Sequence, residues 1–177
     1  MIFWIFFLTS FLFTLSRALP RLTTLAGVLD DLGISADGRV GTFAWNTARH
    51  LELYFAAPCT GRVLHTLNIR LFPEQLTYIA NHAEDEVIFV DRSLLGLLAP
   101  LLPTFERLKH LVMMDDGKGD IPADLNGHEL LDYEELLAAA EPVEFGIEAI
   151  ADDAALAGKR GRFIEERESD GLPGGIR

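Results

Sequence analysis

Between about residue 21 and residue 145, short apolar runs alternate with amphipathic segments, and turn residues stand between them. Leu22, Leu25, Val28, Leu29 and Leu32 recur at helical spacing, and Gly33 supplies a stop. A turn at Ala36–Gly38 leads into an apolar strand over Val40–Ala44. Asn46 reads as the N-cap of a helix through about Ala57, with Leu51, Tyr54 and Phe55 on its inner face and Pro58 and Gly61 ending it. A second strand over Arg62–Thr66 precedes Pro73, which sits where a first helical residue has no use for its N–H. Leu76, Ile79, Ala80 and Ala83 give that helix its apolar stripe. Val87–Val90 reads as a strand, Ser93 as the cap of a helix through about Leu102 that Pro103 breaks, and Lys109–Met114 as a further strand. His128–Ala140 reads as one helix, with Leu130, Leu131, Leu136 and Leu137 inward and Asp132, Glu134 and Glu135 exposed.

Strands alternating with helices over short connections imply parallel pairing and right-handed crossovers. Nearly all-apolar strands imply burial on both faces. The fold class expected is therefore α/β, a doubly wound, mostly parallel sheet of about four strands. The pattern also marks two boundaries. Residues 1–20 form an apolar segment read as a helix, residues 21–145 the α/β body, and residues 146–177 a loose charged tail containing EERESD at Glu165–Asp170 and GLPGG at Gly171–Gly175.

Met1–Ser16 carries no charged side chain and is followed by Arg17 and Arg21. As a helix it would span roughly 24 Å against a bilayer core of roughly 30 Å. It lacks a basic leading region, so a cleaved signal peptide fits poorly. Three readings stand side by side: a membrane anchor, a buried or interfacial apolar helix, and a spurious upstream extension.

Composition narrows the function classes. At 177 residues, 49% hydrophobic and 24% charged, the chain has the profile of one globular domain. A net charge of −12 argues against a nucleic-acid partner, because phosphate contacts need a basic face. The single Cys59 excludes an internal disulfide and makes a reducing, cytoplasmic compartment the simpler one. The five histidines show no metal-ligand spacing, and no metal site is expected.

Few residues invite a chemical reading. The DDGKGD run at Asp115–Asp120 follows a strand and has the composition of a cation loop, though also of a solvated turn. Gly117–Gly119 is too short to cradle a phosphate. Cys59 is a nucleophile only in an activating environment and otherwise a small buried hydrophobe. His65 within an apolar strand reads as a core or edge histidine before it reads as a base. Trp45 and Asn46 border the C-terminal end of a strand, where ligand crevices form in such folds, yet capping and packing account for them equally.

The segments taken in order carry more than any single residue. LAGVLDDLG at Leu25–Gly33, RVGTFAWN at Arg39–Asn46, HLELYFAAPCTG at His50–Gly61, VLHTLNIRL at Val63–Leu71 and DYEELL at Asp132–Leu137 stand in one fixed succession. That succession resembles the N-terminal part of the adenylate-forming, AMP-dependent acyl-CoA synthetases, in particular the medium- and long-chain fatty acid–CoA ligases. The resemblance implies the N-terminal subdomain of the AMP-binding ligase fold. For a full-length member it implies joining a fatty acid to ATP as an acyl-adenylate and transferring the acyl group to coenzyme A, with ATP, magnesium and coenzyme A as cofactors and substrates. The family's phosphate loop, a Ser/Thr/Gly-rich run closed by PKG, has no counterpart between Gly146 and Arg177. No catalytic, cofactor-binding or metal-binding residue is therefore carried over. The expectation is a truncated ligase-like protein, inactive alone, that meets fatty acid and coenzyme A only through regions it lacks. Self-association through bared subdomain faces and membrane contact through residues 1–16 are expected with it. The alternative is a non-enzymatic, membrane-tethered α/β interaction module.

Overall fold

The computed structural model describes residues 19–144. The apolar segment before them and the charged tail after them lie outside the described residues. Helix α1 covers residues 19–31 and stops at Gly33, whose φ of +63° a side chain would resist. Strand β1 (Arg39–Phe43) is followed by α2 (Ala48–Cys59), β2 (Val63–Thr66), α3 (Pro73–Ala83) and β3 (Asp85–Asp91). A short α4 (Leu95–Leu98), flanked by 3-10 turns at Arg92–Leu94 and Ala99–Thr104, leads to β4 (His110–Met114). Then β5 (Leu130–Asp132) runs directly into α5 (Tyr133–Ala139).

The five strands form one sheet in the order β2-β1-β3-β4-β5, every pair parallel. Helices cover both faces, so the strands alternate between two apolar cores. Ile88, Val90, Leu111 and Met113 point to the layer holding α3 and α4, packed with Leu76, Leu95, Leu98 and Leu102. Val87, Phe89, Val112 and Met114 point to the layer of α1, α2 and α5, packed with Leu25, Leu29, Leu53 and Tyr133. The doubly wound α/β fold expected from the pattern is present, with five strands where about four were expected. Among the described residues no helix is long and apolar enough to cross a membrane.

Several local expectations are corrected. Thr47, not Asn46, caps α2, its side chain accepting from the His50 N–H. Leu51, Tyr54 and Phe55 are exposed, and Leu53, Ala56 and Ala57 form the buried face. Pro58 lies inside the last turn, and α2 ends at Cys59. Ser93 does not cap a long helix: it sits within a 3-10 turn, and the chain to Thr104 is helical only in pieces. Residues 128–140 are not one helix. Leu130–Asp132 completes the sheet, and the Asp132 carboxylate then caps α5 by accepting from the N–H groups of Glu134 and Glu135.

One position of the sheet depends on having no side chain. Register between β1 and β3 shifts after Arg39, which pairs with Asp85, while Val40 pairs with Val87. Glu86 is thus an extra residue, and such a bulge re-aims its neighbours. Asp85 lies buried across Gly41 and meets His65 Nδ1 with both carboxylate oxygens at 2.9 Å. A Cβ on Gly41 would stand 3.2 Å from the Asp85 carboxyl carbon and 3.0 Å from an Ile88 methylene. Gly41→Val is expected to destabilise the fold by roughly 1–3 kcal/mol through overpacking. Urea unfolding of the variant beside the native chain measures it, and unchanged midpoints would exclude the close approach.

Candidate functional site at the strand C-terminal edge

In this strand order, the connections leave β1 and β3 for opposite faces. The gap between their C-terminal ends is where ligands bind in open α/β sheets. Three loops meet there: residues 44–47 after β1, the turn at Arg92–Leu94 after β3, and residues 115–120 after β4.

Their polar groups are joined to one another. The Trp45 backbone N–H donates to Asp91 Oδ2 at 2.7 Å, and its indole Nε1–H donates to Ser93 Oγ at 3.1 Å. Ser93 Oγ donates in turn to Asp116 Oδ2 at 2.6 Å, and the Ser93 N–H reaches Asp116 Oδ1 at 3.2 Å. Arg92 faces the Asp115 carboxylate at 3.4 Å, and Arg49 donates to the Asp115 carbonyl at 3.0 Å. The acid pair of the DDGKGD run is therefore engaged in holding the turn after β3. Asp115 also accepts from the Gly117 N–H, and Asp116 from the Lys118 N–H. Among the described residues no three His, Cys, Asp or Glu side chains are arranged to hold a metal ion.

Behind this edge, His50 is buried in α2. Its Nδ1 lies 3.1 Å from the Trp45 carbonyl, which can only accept, so Nδ1 carries the hydrogen. Nε2 then faces the Thr42 hydroxyl at 3.0 Å. The imidazole links β1, α2 and the loop between them, and so sets where Trp45 stands. The Trp45 indole, 47% exposed, and the exposed Asn46 are presented outward at this edge, as are Lys118 and Asp120 of the loop after β4.

The other candidates lie apart. Cys59 is half-buried in the last turn of α2. His65 sits on the edge strand β2 with Asp85, near the opposite end of the sheet. Sequence reasoning missed Asp91 and Ser93. The signal for them was an acid closing an otherwise apolar strand, since a buried carboxylate at such a place needs a donor. The edge presents an aromatic face and an amide, and its hydroxyl contacts, Ser93 with Asp116 and Thr42 with His50, join neighbouring segments to one another. These links hold the three loops in position.

The AMP-binding enzyme family model matches residues 10–155. The chain belongs to that family. It is 43% identical over 117 residues to the 3-methylmercaptopropionyl-CoA ligase of Ruegeria lacuscaerulensis, covering 66% of this chain and 21% of that protein. Against the medium-chain-fatty-acid–CoA ligase of Ectopseudomonas oleovorans the identity is 38% over 121 residues, covering 68% and 22%. The fold matches that of acetoacetyl-CoA synthetase from Streptomyces lividans with a TM-score of 0.59 at 19% identity, over 72% of this chain and 21% of that one. The chain thus spans about a fifth of the length of the curated relatives it matches. Its five-stranded sheet is the N-terminal subdomain of the AMP-binding ligase fold.

Burial pushes the Asp91 carboxyl above its ordinary value of 3.8, and the neighbouring Asp116 charge adds to that, while the Trp45 N–H opposes both. With the folded value above the unfolded one, the contribution of Asp91 to stability is complete below about pH 3.8 and is lost as pH rises through the folded value. The amide introduced by Asp91→Asn does not titrate. The stability of that variant relative to the native chain is therefore expected to rise as pH is raised from about 3.5 to 7. Urea midpoints across that range check the sign, and a flat difference would contradict it.

Proposed function

We propose that residues 21–145 are the N-terminal subdomain of a fatty acid–CoA ligase of the AMP-binding family, with residues 1–20 and 146–177 as separate flanking segments. The reaction of the whole enzyme is then ATP-driven formation of an acyl-CoA, releasing AMP and pyrophosphate. Fatty acid, ATP with magnesium, and coenzyme A are the ligands of that whole enzyme, and the cytoplasm is its compartment. The observation that carries the reading is the match of one continuous region both to the family and to medium-chain and long-chain ligases, the latter from Thermus thermophilus at 43% identity over 103 residues.

Residues 1–177 by themselves are proposed to be inactive. Adenylation needs backbone N–H groups and a lysine around the ATP phosphates, and no Ser/Thr/Gly-rich run closed by PKG occurs in this sequence. The subdomain contributes a rigid parallel sheet and the fixed loops at its C-terminal edge. In that role, Trp45 and Asn46 are surface for the rest of the enzyme, and the Asp91–Trp45–Ser93–Asp116 links keep that surface in shape.

Two measurements test this. The chain alone, given ATP, magnesium, coenzyme A and octanoate or palmitate, is expected to release no pyrophosphate above background. Turnover above background would overturn the proposed inactivity. In the second, residues 21–145 replace the matching segment of the medium-chain ligase of Ectopseudomonas oleovorans. The chimera is expected to form octanoyl-CoA, and a folded chimera with no activity would overturn the ligase reading.

A further inference from the structure

The middle of α1 is covered on every side. Leu25, Ala26, Gly27, Val28 and Leu29 are all buried, an unbroken run where a helix lying on a sheet buries only a stripe. Leu25, Val28 and Leu29 face the core shared with α2 and α5. Gly27 lies beneath something else. A Cβ there would overlap the Glu141 carbonyl oxygen, and would stand 3.2 Å from that carbonyl's carbon and 3.7 Å from a Val143 methyl. Its φ is not positive, so the backbone gives no reason for glycine, and in a helix interior alanine is the better former. Close approach of the chain after α5 accounts for the residue.

That chain takes a definite path. The Ala140 N–H closes α5 by donating to the Leu136 carbonyl. Pro142 holds Glu141 extended, and the Val143 N–H then donates to the Thr23 carbonyl of α1 at 3.0 Å. A carbonyl has two acceptor positions, so Thr23 serves this segment as well as its own helix. Thr23 stands one turn before Gly27, so Glu141–Val143 crosses α1 against the direction of the helix. The ends of α1 orient that crossing relative to the sheet. Arg62, just before β2, binds Asp30, and His110, the first residue of β4, donates to the Leu32 carbonyl. Helix α1 therefore ends at the N-terminal edge of the strands. Arg21 binds Glu134, just beyond β5, so α1 begins at their C-terminal edge.

We propose that Glu141–Val143 is a strap, seated on α1 at Gly27, that reverses the chain after α5 and aims it at the C-terminal edge of the sheet. Helix α5 runs away from that edge, and the strap returns toward it. The chain thus leaves the body on the side that presents Trp45 and Asn46. Gly27 is the seat, because any side chain there would hold the Glu141 carbonyl off the helix. One backbone hydrogen bond and the contact at the seat hold the strap, against a full ladder for each inner strand. It opens as a local unit, with the sheet intact.

The sign of one substitution in the full chain tests this. With nothing over the residue, Gly27→Ala would raise the urea midpoint through helix propensity. With the strap seated, the midpoint is expected to fall, and one raised or unchanged overturns the proposal. In the native chain the Val143 amide is expected to be protected from hydrogen exchange. In Gly27→Ala it is expected to exchange about tenfold faster or more, a larger change than in the amides of β4. A Val143 amide that exchanges in the native chain as in an unfolded peptide also overturns the proposal. Val143→Pro keeps the segment extended and removes the donor. In that background the midpoint loss on Gly27→Ala is expected to shrink by about half or more, because a loosened strap lifts off the added methyl. Equal losses in the two backgrounds overturn the proposal, since the burial of Gly27 would then owe nothing to the strap.

Discussion

The constraint on which the rest of this structure depends is burial of a parallel sheet on both faces. Parallel strands need crossovers, and crossovers lay helices over the sheet, so β1, β3 and β4 must be apolar on both sides. Val40 and Phe43, Val87 and Ile88, and Leu111 and Val112 satisfy this by facing opposite cores. Polar chemistry is then displaced to the ends of the strands. The carboxylates of Asp85 and Asp91, the His50 imidazole and the Arg49 guanidinium all lie at a strand end or in the helix beside it. The same displacement makes the loops at the strand C-terminal edge the place where polar side chains of different elements meet.

The helices over the second core are joined by charge as well as by apolar packing. Arg21 binds Glu52 and Glu134, Arg49 binds Glu134, and the hydroxyl of buried Tyr133 donates to Glu52 at 2.7 Å. One cluster thereby ties α1, α2 and α5 across residues far apart in sequence. Exposed pairs contribute little singly. The buried phenol sets this cluster apart: its ring packs edge-on against Phe89, and its hydroxyl needs an acceptor, so Glu52 is held in place by a group that cannot reach water instead.

Much of the fold was legible in the sequence because period and punctuation agreed: Gly33 ends α1, Pro73 opens α3, and the apolar runs at 40–44, 87–90 and 109–114 are strands. The failures have physical causes. Helix α2 carries two stripes of identical spacing, and size favoured the wrong one, since Leu51, Tyr54 and Phe55 outweigh Leu53, Ala56 and Ala57. Small residues mark the buried face here because α1 packs closely on it. The strand β5 was hidden because Asp132 both ends it and caps α5, so strand and helix share a junction with no turn residue between them. At the edge, Trp45 and Asn46 were placed by the strand they follow. The acid closing β3 signalled a buried carboxylate but not its partners, because the bonds of Asp91 and Ser93 join loops 46 and 23 residues apart that only the sheet brings together.

The two ends of β3 explain why the sheet adopts one register. Asp85 closes one end on His65, and Asp91 closes the other on the Trp45 N–H. Each carboxylate is buried, and each has its partner only in the observed alignment. A slip of one residue would turn a charge toward an apolar core and expose Val87 and Phe89 to the opposite layer. In a strand buried on both faces, apolar pattern alone discriminates poorly between registers, since either face accepts a valine or an isoleucine. The acids supply the discrimination that pattern lacks. Their desolvation lowers stability near neutral pH, and the alignment they enforce is what fixes the edge carrying Trp45.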